Sequence, residues 1–375
     1  MIKSVYTVKA IWIFIFTCIC CNSYAANKVY GTIDVNIAQY DTGEVNKLPK
    51  QTLNYGRSKI GFMDNHQLIG TSEFFYKIEW GTQLVSDNAS TSTLLDNDTD
   101  SNTLEINSRL AYVGIRGAYG TIYAGRVYSP FYTVVAKSDI EVVGTGALAV
   151  EKVAVKRVSN TLVYKTPETD GLEVYVALAT SAENTDDSNL DEENKINSQT
   201  YAITYRYNNF TLGIATFEDN GIQKHTPSAS GFIDSDEHLA QGISLQYDVT
   251  ADFSIYYNQI TNRLYKDNQD EDGEKRDITY NGHDIAFKVN LNYESYMSLI
   301  IGQLDAGKYN YEGVYKIQPN AQDEQSSVNL TYAYQLGRDT MMYLAYETIT
   351  TNNSLNATQP ESTAHDIYLG ISKQF

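Results

Sequence analysis

Five basic residues, Arg57, Lys59, Arg109, Arg126 and Arg157, stand singly inside stretches where apolar and polar side chains alternate. A charged segment among them, 129–156, carries Lys137, Asp139, Glu141, Glu151, Lys152 and Lys156. None of these sits in a motif for bond-making chemistry. The histidines His66, His225, His238, His283 and His365 are scattered without metal-ligand spacing, and no motif assembles a Ser, His and Asp set. The run Asp96-Asn97-Asp98-Thr99-Asp100 opens like a calcium loop, but Ser101 stands where the turn needs Gly and Asn107 where a bidentate Glu belongs. Isolated fixed charges can instead act through their field. Opposed across a narrow aqueous gap, they orient dipoles and select ions. The sequence therefore predicts no cofactor, no metal centre and no enzyme.

The elements that must carry these charges share one period. Ile285, Phe287, Val289, Leu291 and Tyr293 alternate with Asp284, Ala286, Lys288, Asn290 and Asn292, and Val328, Leu330, Tyr332, Tyr334 and Leu336 alternate with Asn329, Thr331, Ala333 and Gln335. Such alternation over about ten residues is the mark of strands with one apolar and one polar face. Sixteen segments show it: 27–40, 54–64, 67–85, 105–117, 120–128, 157–166, 172–180, 199–208, 210–218, 239–249, 252–262, 281–293, 295–304, 326–336, 339–349 and 365–375. Their connections alternate between short ones, beginning with Asn65-His66 and Ala118-Tyr119, and long ones. An even number of strands with tight turns at one rim and long loops at the other predicts an all-β, antiparallel transmembrane barrel. Sixteen strands leave an aqueous lumen.

Composition and ends agree. The 375 residues have a net charge of −18, and the 46 acidic residues against 28 basic ones disfavour a nucleic-acid partner. Mean hydropathy is −0.37, too polar for a bundle of membrane helices. The one long apolar run, Ala10 to Cys21, is too short to span a bilayer. With Lys3 and Lys9 before it and Ser23-Tyr24-Ala25 after it, it reads as a signal peptide, 1–25, leaving one domain, 26–375. All three cysteines fall inside that segment, so the mature chain has no thiol and a charge of −20. A soluble sandwich of this length would split into domains, and no repeat of propeller-blade length is present.

Side-chain parity then assigns faces. Taking Ile60 and Phe62 as lipid-facing turns Arg57 and Lys59 toward water. The same parity sets Arg109 inward opposite Leu110 and Tyr112, and Arg157 inward if Leu162 and Tyr164 face out. A guanidinium facing lipid at the bilayer midplane costs about 2–4 kcal/mol, so these residues and Arg126, at the end of the fifth strand, are expected to form a basic stripe on one lumen wall. Asp34 is a further inward candidate.

Several short stretches resemble the general porins of Gram-negative outer membranes. Val29-Tyr30-Gly31-Thr32-Ile33-Asp34 is similar to the family's opening strand, and Lys59-Ile60-Gly61-Phe62 to its second. Arg109-Leu110-Ala111-Tyr112-Val113-Gly114 with Tyr119-Gly120-Thr121 and Gly125-Arg126 resembles strands four and five, and Ser129-Pro130-Phe131-Tyr132 resembles the start of the third loop. Phe375 matches the terminal aromatic that serves as an assembly signal. The resemblance implies a homotrimer of sixteen-stranded barrels that passes ions and small hydrophilic solutes, with the third loop folded into the lumen. On that basis Asp139 and Glu141, in a stretch partly like the family's acidic loop tip, are expected to face the basic stripe.

Two other functions are weighed. A substrate-selective pore for an oligosaccharide needs a run of inner-wall aromatics, and Tyr30, Tyr128, Tyr175, Tyr256 and Tyr343 are inward by parity. An adhesin or structural barrel would act through its loops. The acidic residues concentrate in the eight long loops, where they can attract cations or bridge lipopolysaccharide through divalent ions.

Overall fold

The computed structural model describes residues 28–41, 49–54, 56–82, 106–180, 196–219, 237–267, 275–311, 314–317, 324–352 and 361–375. The expected signal peptide and much of the long connections lie outside these residues.

The chain closes into a sixteen-stranded antiparallel barrel built from eighteen strand segments. β1 (Lys28–Asp41) is followed by β2 (Lys50–Asn54) and β3 (Lys59–Gln67), which pair successively along β1 and together make one wall strand. Next come β4 (Glu73–Thr82), β5 (Ile106–Gly117), β6 (Gly120–Tyr128), β7 (Arg157–Lys165), β8 (Leu172–Thr180) and β9 (Ile196–Tyr207). β10 (Phe210–Asp219), β11 (Glu237–Thr250), β12 (Phe253–Asp267), β13 (Lys275–Asn290) and β14 (Ser295–Tyr311) continue the wall. Among the described residues β15 (Val314–Ile317) pairs with the far end of β14, and it stands outside the count of wall strands because β14 also pairs with β16. β16 (Glu324–Gly337), β17 (Thr340–Asn352) and β18 (Glu361–Gln374) complete the circuit. β18 pairs with β1 from Thr32↔Gln374 to Asp41↔His365, and Gly31 and Phe375 exchange both backbone hydrogen bonds, at 3.0 and 3.1 Å.

The apolar positions face outward. On β16, Val328, Leu330, Tyr332, Tyr334 and Leu336 are exposed while Ser327, Asn329 and Thr331 are buried, and β9 repeats this with Tyr201, Ile203, Tyr205 and Tyr207 against Thr200, Ala202 and Thr204. A soluble protein hides its apolar face, whereas a barrel in lipid turns it outward. Among the described residues no helix is long and apolar enough to cross a membrane, and here strands do so.

Several strands run a few residues beyond the segments expected from the sequence, β12 to Asp267 and β13 from Lys275 among them, and the first hairpin and β14 differ most. The second strand is made of two segments, one ending at Asn54 and one beginning at Lys59, and the latter runs through Asn65 and His66 to Gln67, so the expected turn lies instead between Leu68 and Ser72, closed by Leu68 N to Ser72 O at 2.7 Å. β4 therefore begins at Glu73, not 67. β14 extends past Leu304 to Tyr311, because it gains β15 as a partner at the rim.

Candidate functional site

The segment 129–156 builds the narrow part of the lumen. Ser129 caps a short helix, Pro130–Val135, its hydroxyl accepting from Tyr132 N at 2.9 Å, and Pro130 at the first position gives up no needed donor. Ser129 N donates to Lys156 O at 3.1 Å, so the loop leaves and rejoins the wall at one point. Between these ends it crosses the lumen and lies along the inner face of β8 to β14 and on to β16, β17 and β18.

Apolar packing holds it there. Phe131, Val134, Val135, Leu148, Val150 and Val153 are fully buried in one cluster with inner-face Phe217, Ala240, Ile260, Ala286, Ile300 and Leu304. Each such side chain contributes about 1.5–3 kcal/mol. Two glycines let the backbones approach: a Cβ on Gly282 would lie 2.6 Å from Ala149 Cα, and one on Gly302 2.5 Å from Gly146 O. The tip follows the same logic, with Val143 packed among Ala38, Tyr343, Ala345 and Tyr368.

Two buried wall carboxylates fix the loop's polar backbone. Asp284 accepts from Ala149 N at 2.9 Å, Val150 N at 3.1 Å and Ser138 Oγ at 3.2 Å. Glu347 accepts from Thr145 N at 2.6 Å. Neutral partners do the rest, as Ser244, Asn262, Ser327 and Asn329 donate to the carbonyls of Val134, Val153, Gly146 and Val143. With its apolar side spent on the wall, the loop turns charge toward β1–β7.

There the wall charges gather around Glu79 of β4, which is 1% exposed. Arg109 Nε donates to Glu79 Oε1 at 2.8 Å, Tyr30 Oη donates to Oε2 at 3.0 Å, and Lys59 and Lys77 bring their ammonium groups to 3.7 and 3.8 Å. Arg109 Nη2 also reaches Tyr128 Oη at 3.2 Å, and the Arg157 guanidinium lies over the Tyr128 ring at 5.2 Å. Facing this wall, the loop places Asp139, Glu141 and Glu151 with carboxylate oxygens within 4.8 Å of one another. Lys156 contacts Glu151 at 2.6 Å and Asp139 at 3.9 Å. Arg57 bridges the two sides, 3.3 Å from Glu141 and 3.7 Å from Asp139. Its backbone is set by Ser58, which exchanges hydrogen bonds with the Asp34 main chain at 2.9 and 3.0 Å. Burial pushes the Glu141 carboxyl up to about 8, with the neighbouring Asp139 adding to the rise and Arg57 opposing it.

The sequence-expected residues divide accordingly. Lys59 and Arg109 meet at Glu79, Arg57 meets Asp139 and Glu141, and Arg157 adjoins them through Tyr128. Arg126 does not join: it pairs across the ladder with exposed Ala111 and donates to Ser108 O at 3.2 Å and Ser159 Oγ at 2.6 Å. Between the pairs Gly125↔Thr161 and Val127↔Val158, Arg126 of β6 stands opposite two residues of β7, Ser159 and Asn160, so the bulge lies on β7. Gly125, just before Arg126, sits at φ 137, where a Cβ would collide with the Ala111 carbonyl. Arg109 is inward, but not by the expected parity. Leu110 is buried at 1% and Tyr112 packs on Tyr123, both on the inner side, because a bulge opposite Glu79 and Trp80 resets the alternation. Asp34 lies under the loop tip, accepting from Tyr343 Oη at 2.7 Å, and does not line the passage. Tyr175, Tyr256 and Tyr343 are covered or packed against the loop core, so the five inward tyrosines form no open run. Glu79, Lys77, Lys156, Glu151, Asp284 and Glu347 were missed as site residues. Glu79 carried a signal, an acid between strand residues Ile78 and Trp80.

A closed sixteen-stranded barrel with apolar exterior, charged lumen and an infolded loop is the architecture of an outer-membrane channel. The family model for Gram-negative porins matches residues 15–354, and the chain belongs to that family. It is therefore an outer-membrane channel for passive diffusion of small solutes. A comparison with curated proteins finds no match. Among solved structures it is similar to the outer membrane channel DcaP of Acinetobacter baumannii, with a TM-score of 0.66 at 12% identity over 94% of this chain and 97% of that one. It is also similar to an anion-selective porin from Comamonas acidovorans, at 0.65 and 14% over 94% and 100%. A third is the trimer form of in-vitro folded OmpT of Vibrio cholerae, at 0.64 and 12% over 94% and 100%.

Proposed function

We propose that this porin is a homotrimeric, non-enzymatic diffusion pore whose narrowest passage runs between the loop acids Asp139, Glu141 and Glu151 and the wall cations Arg57, Lys59, Lys77, Arg109 and Arg157. The observation that carries this is the packing of 129–156, whose apolar side lies against β8–β14 while its carboxylates face β1–β7. The trimer form of the similar Vibrio cholerae protein supports the assembly. Residues 1–25 serve as the export signal, and the acidic loops bridge lipopolysaccharide through divalent ions. Transverse charge of this kind gives preference by sign and dipole without a bound cofactor.

Purified protein in a planar bilayer should give stepwise conductance in triplets. Neutralising Lys59, Arg109 and Arg157 together should raise cation preference in a salt gradient. Single, untripled steps would sink the trimer, and an unchanged reversal potential would place the passage elsewhere.

A further inference from the structure

Apart from the charged passage, the inner wall carries a recess at the rim of short turns. It lies between the turns that join β11 to β12, β13 to β14 and β16 to β17, and its volume is about 510 Å³. That is the size of a site for a small organic molecule. Tyr296 and Met341 supply its apolar side, and both also pack against the cluster that seats the loop tip at Val143. The recess therefore sits directly beneath the loop, on the side where the short turns face the periplasm.

Its polar groups are held in a set order. Asn292 Oδ1 accepts from Glu294 N at 2.8 Å and from Ser295 Oγ at 3.1 Å, which fixes the amide and leaves Nδ2 to donate. Gln335 Nε2 donates to the carbonyls of Gly337 and Arg338 at 2.7 and 3.1 Å, which leaves Oε1 to accept. Each amide thus has one end tied to its own turn and the other unused among the described residues. Asp252 adds a further acceptor at the rim. Glu294 leans to the outer face, where its carboxylate accepts from the Tyr334 hydroxyl at 2.9 Å. A fixed donor beside fixed acceptors matches hydroxyl groups, each of which gives one proton and accepts others. Ions fit less well. An anion would meet the Asp252 carboxylate, and a cation would meet Lys288, whose ammonium lies 4.5 Å from the Tyr296 ring centre.

The geometry points to a subsite for a neutral sugar at the periplasmic mouth of the pore, its ring carbons against Tyr296 and Met341 and its hydroxyls on Asn292, Gln335 and Asp252. The inference rests on the pore reading above and adds a solute class to it. The C–H face of a pyranose is apolar and packs on an aromatic ring, while a few fixed polar groups at the edge set its orientation. A sugar that has cleared the charged passage is held here before release.

The test is block of single-channel potassium chloride current in planar bilayers by maltose, with sorbitol, a hydroxyl-rich chain without a ring, as the comparison. Maltose should reduce the wild-type current in a saturating manner, whereas sorbitol should change it only in proportion to bulk conductivity. Tyr296→Leu should raise the half-blocking maltose concentration about ten-fold, and Tyr296→Phe, which keeps the ring, should leave it within about two-fold of wild type. Gln335→Met, which removes the free acceptor, should raise it about three-fold. An unchanged half-blocking concentration in Tyr296→Leu, or block by sorbitol as strong as by maltose, would overturn the subsite. Glucuronate blocking more tightly than maltose would overturn the neutral assignment. If Tyr296→Leu fails to insert, Asp252→Ala in its exposed turn takes its place, and block equal to wild type in that variant overturns the subsite. Absence of any stepwise chloride current in the wild type would instead remove the pore reading.

Discussion

The guanidinium of Arg57 and the carboxylate of Glu141 lie 3.3 Å apart, joining a broken strand of the wall to the loop that crosses the lumen. Glu141 is fully buried at its side chain while Arg57 remains half-exposed, so the contact forms one margin of the open passage rather than its middle. Removing Arg57 should widen the opening and leave Glu141 without its main counter-charge. Arg57→Gln is expected to raise single-channel conductance roughly 1.5-fold and to shift selectivity toward cations. A conductance at or below wild type would show that the bridge does not border the route.

Protonation of Glu141 gives the passage a pH response. Its folded value, near 8, lies above the ordinary carboxyl value of 4.5, so the protonated form is favoured in the fold. The associated stability is fully present below about 4.5 and is lost as pH rises through 8. Ionisation over that upper range adds negative charge to the loop, so cation preference should grow between pH 7 and 9. Reversal potentials recorded across this window check the expectation, and Glu141→Gln should flatten the curve.

Glu79 gathers three cations and a phenol at one buried carboxylate. Glu79→Gln is expected to lower unfolding stability by about 2–3 kcal/mol, the scale of hydrogen bonds to charged groups, and to raise anion preference by leaving Lys59, Lys77 and Arg109 uncompensated. Chemical unfolding in detergent with matched reversal potentials would separate the two effects.

Asp284 receives two successive amides and a hydroxyl from the loop. Asp284→Ala should leave those donors buried and unpaired, at a cost of about 1–3 kcal/mol for each group. The expected readouts are faster proteolysis within 129–156 and a noisier open-channel current. Protection and noise equal to wild type would mean that apolar packing alone anchors the loop.

Alternation was legible in the sequence wherever a strand ran without interruption, as β9, β13 and β16 show. It failed at Arg109 because a bulge inserts one residue into β5 and resets parity, and the residues flanking it look like ordinary strand. Arg126 was placed by its position at the strand end, although it shares the parity of exposed Ile122 on its own strand. The apolar runs at Phe131–Val135 and Ala147–Val150 were also open to reading, but a lumen expected to be polar gave no reason to seek a hydrophobic core inside it. Asp284 was in view as a polar position on a strand. Its partners are main-chain amides of a distant loop, which a pattern of side chains does not reveal.

The seam where Gly31 meets Phe375 bears on how the barrel comes into being. The two strands that close it come from opposite ends of the chain, so this pairing carries the largest loop-closure entropy of any in the sheet. Neighbouring hairpins can zip locally, but the curved sheet keeps two unpaired edges until β18 reaches β1. Contacts this distant in sequence make folding slow. Until the seam shuts, the exposed edges are templates for pairing with other chains. The aromatic ring of Phe375, resting over Gly31 on the outer face, lies at the place where that hazard ends.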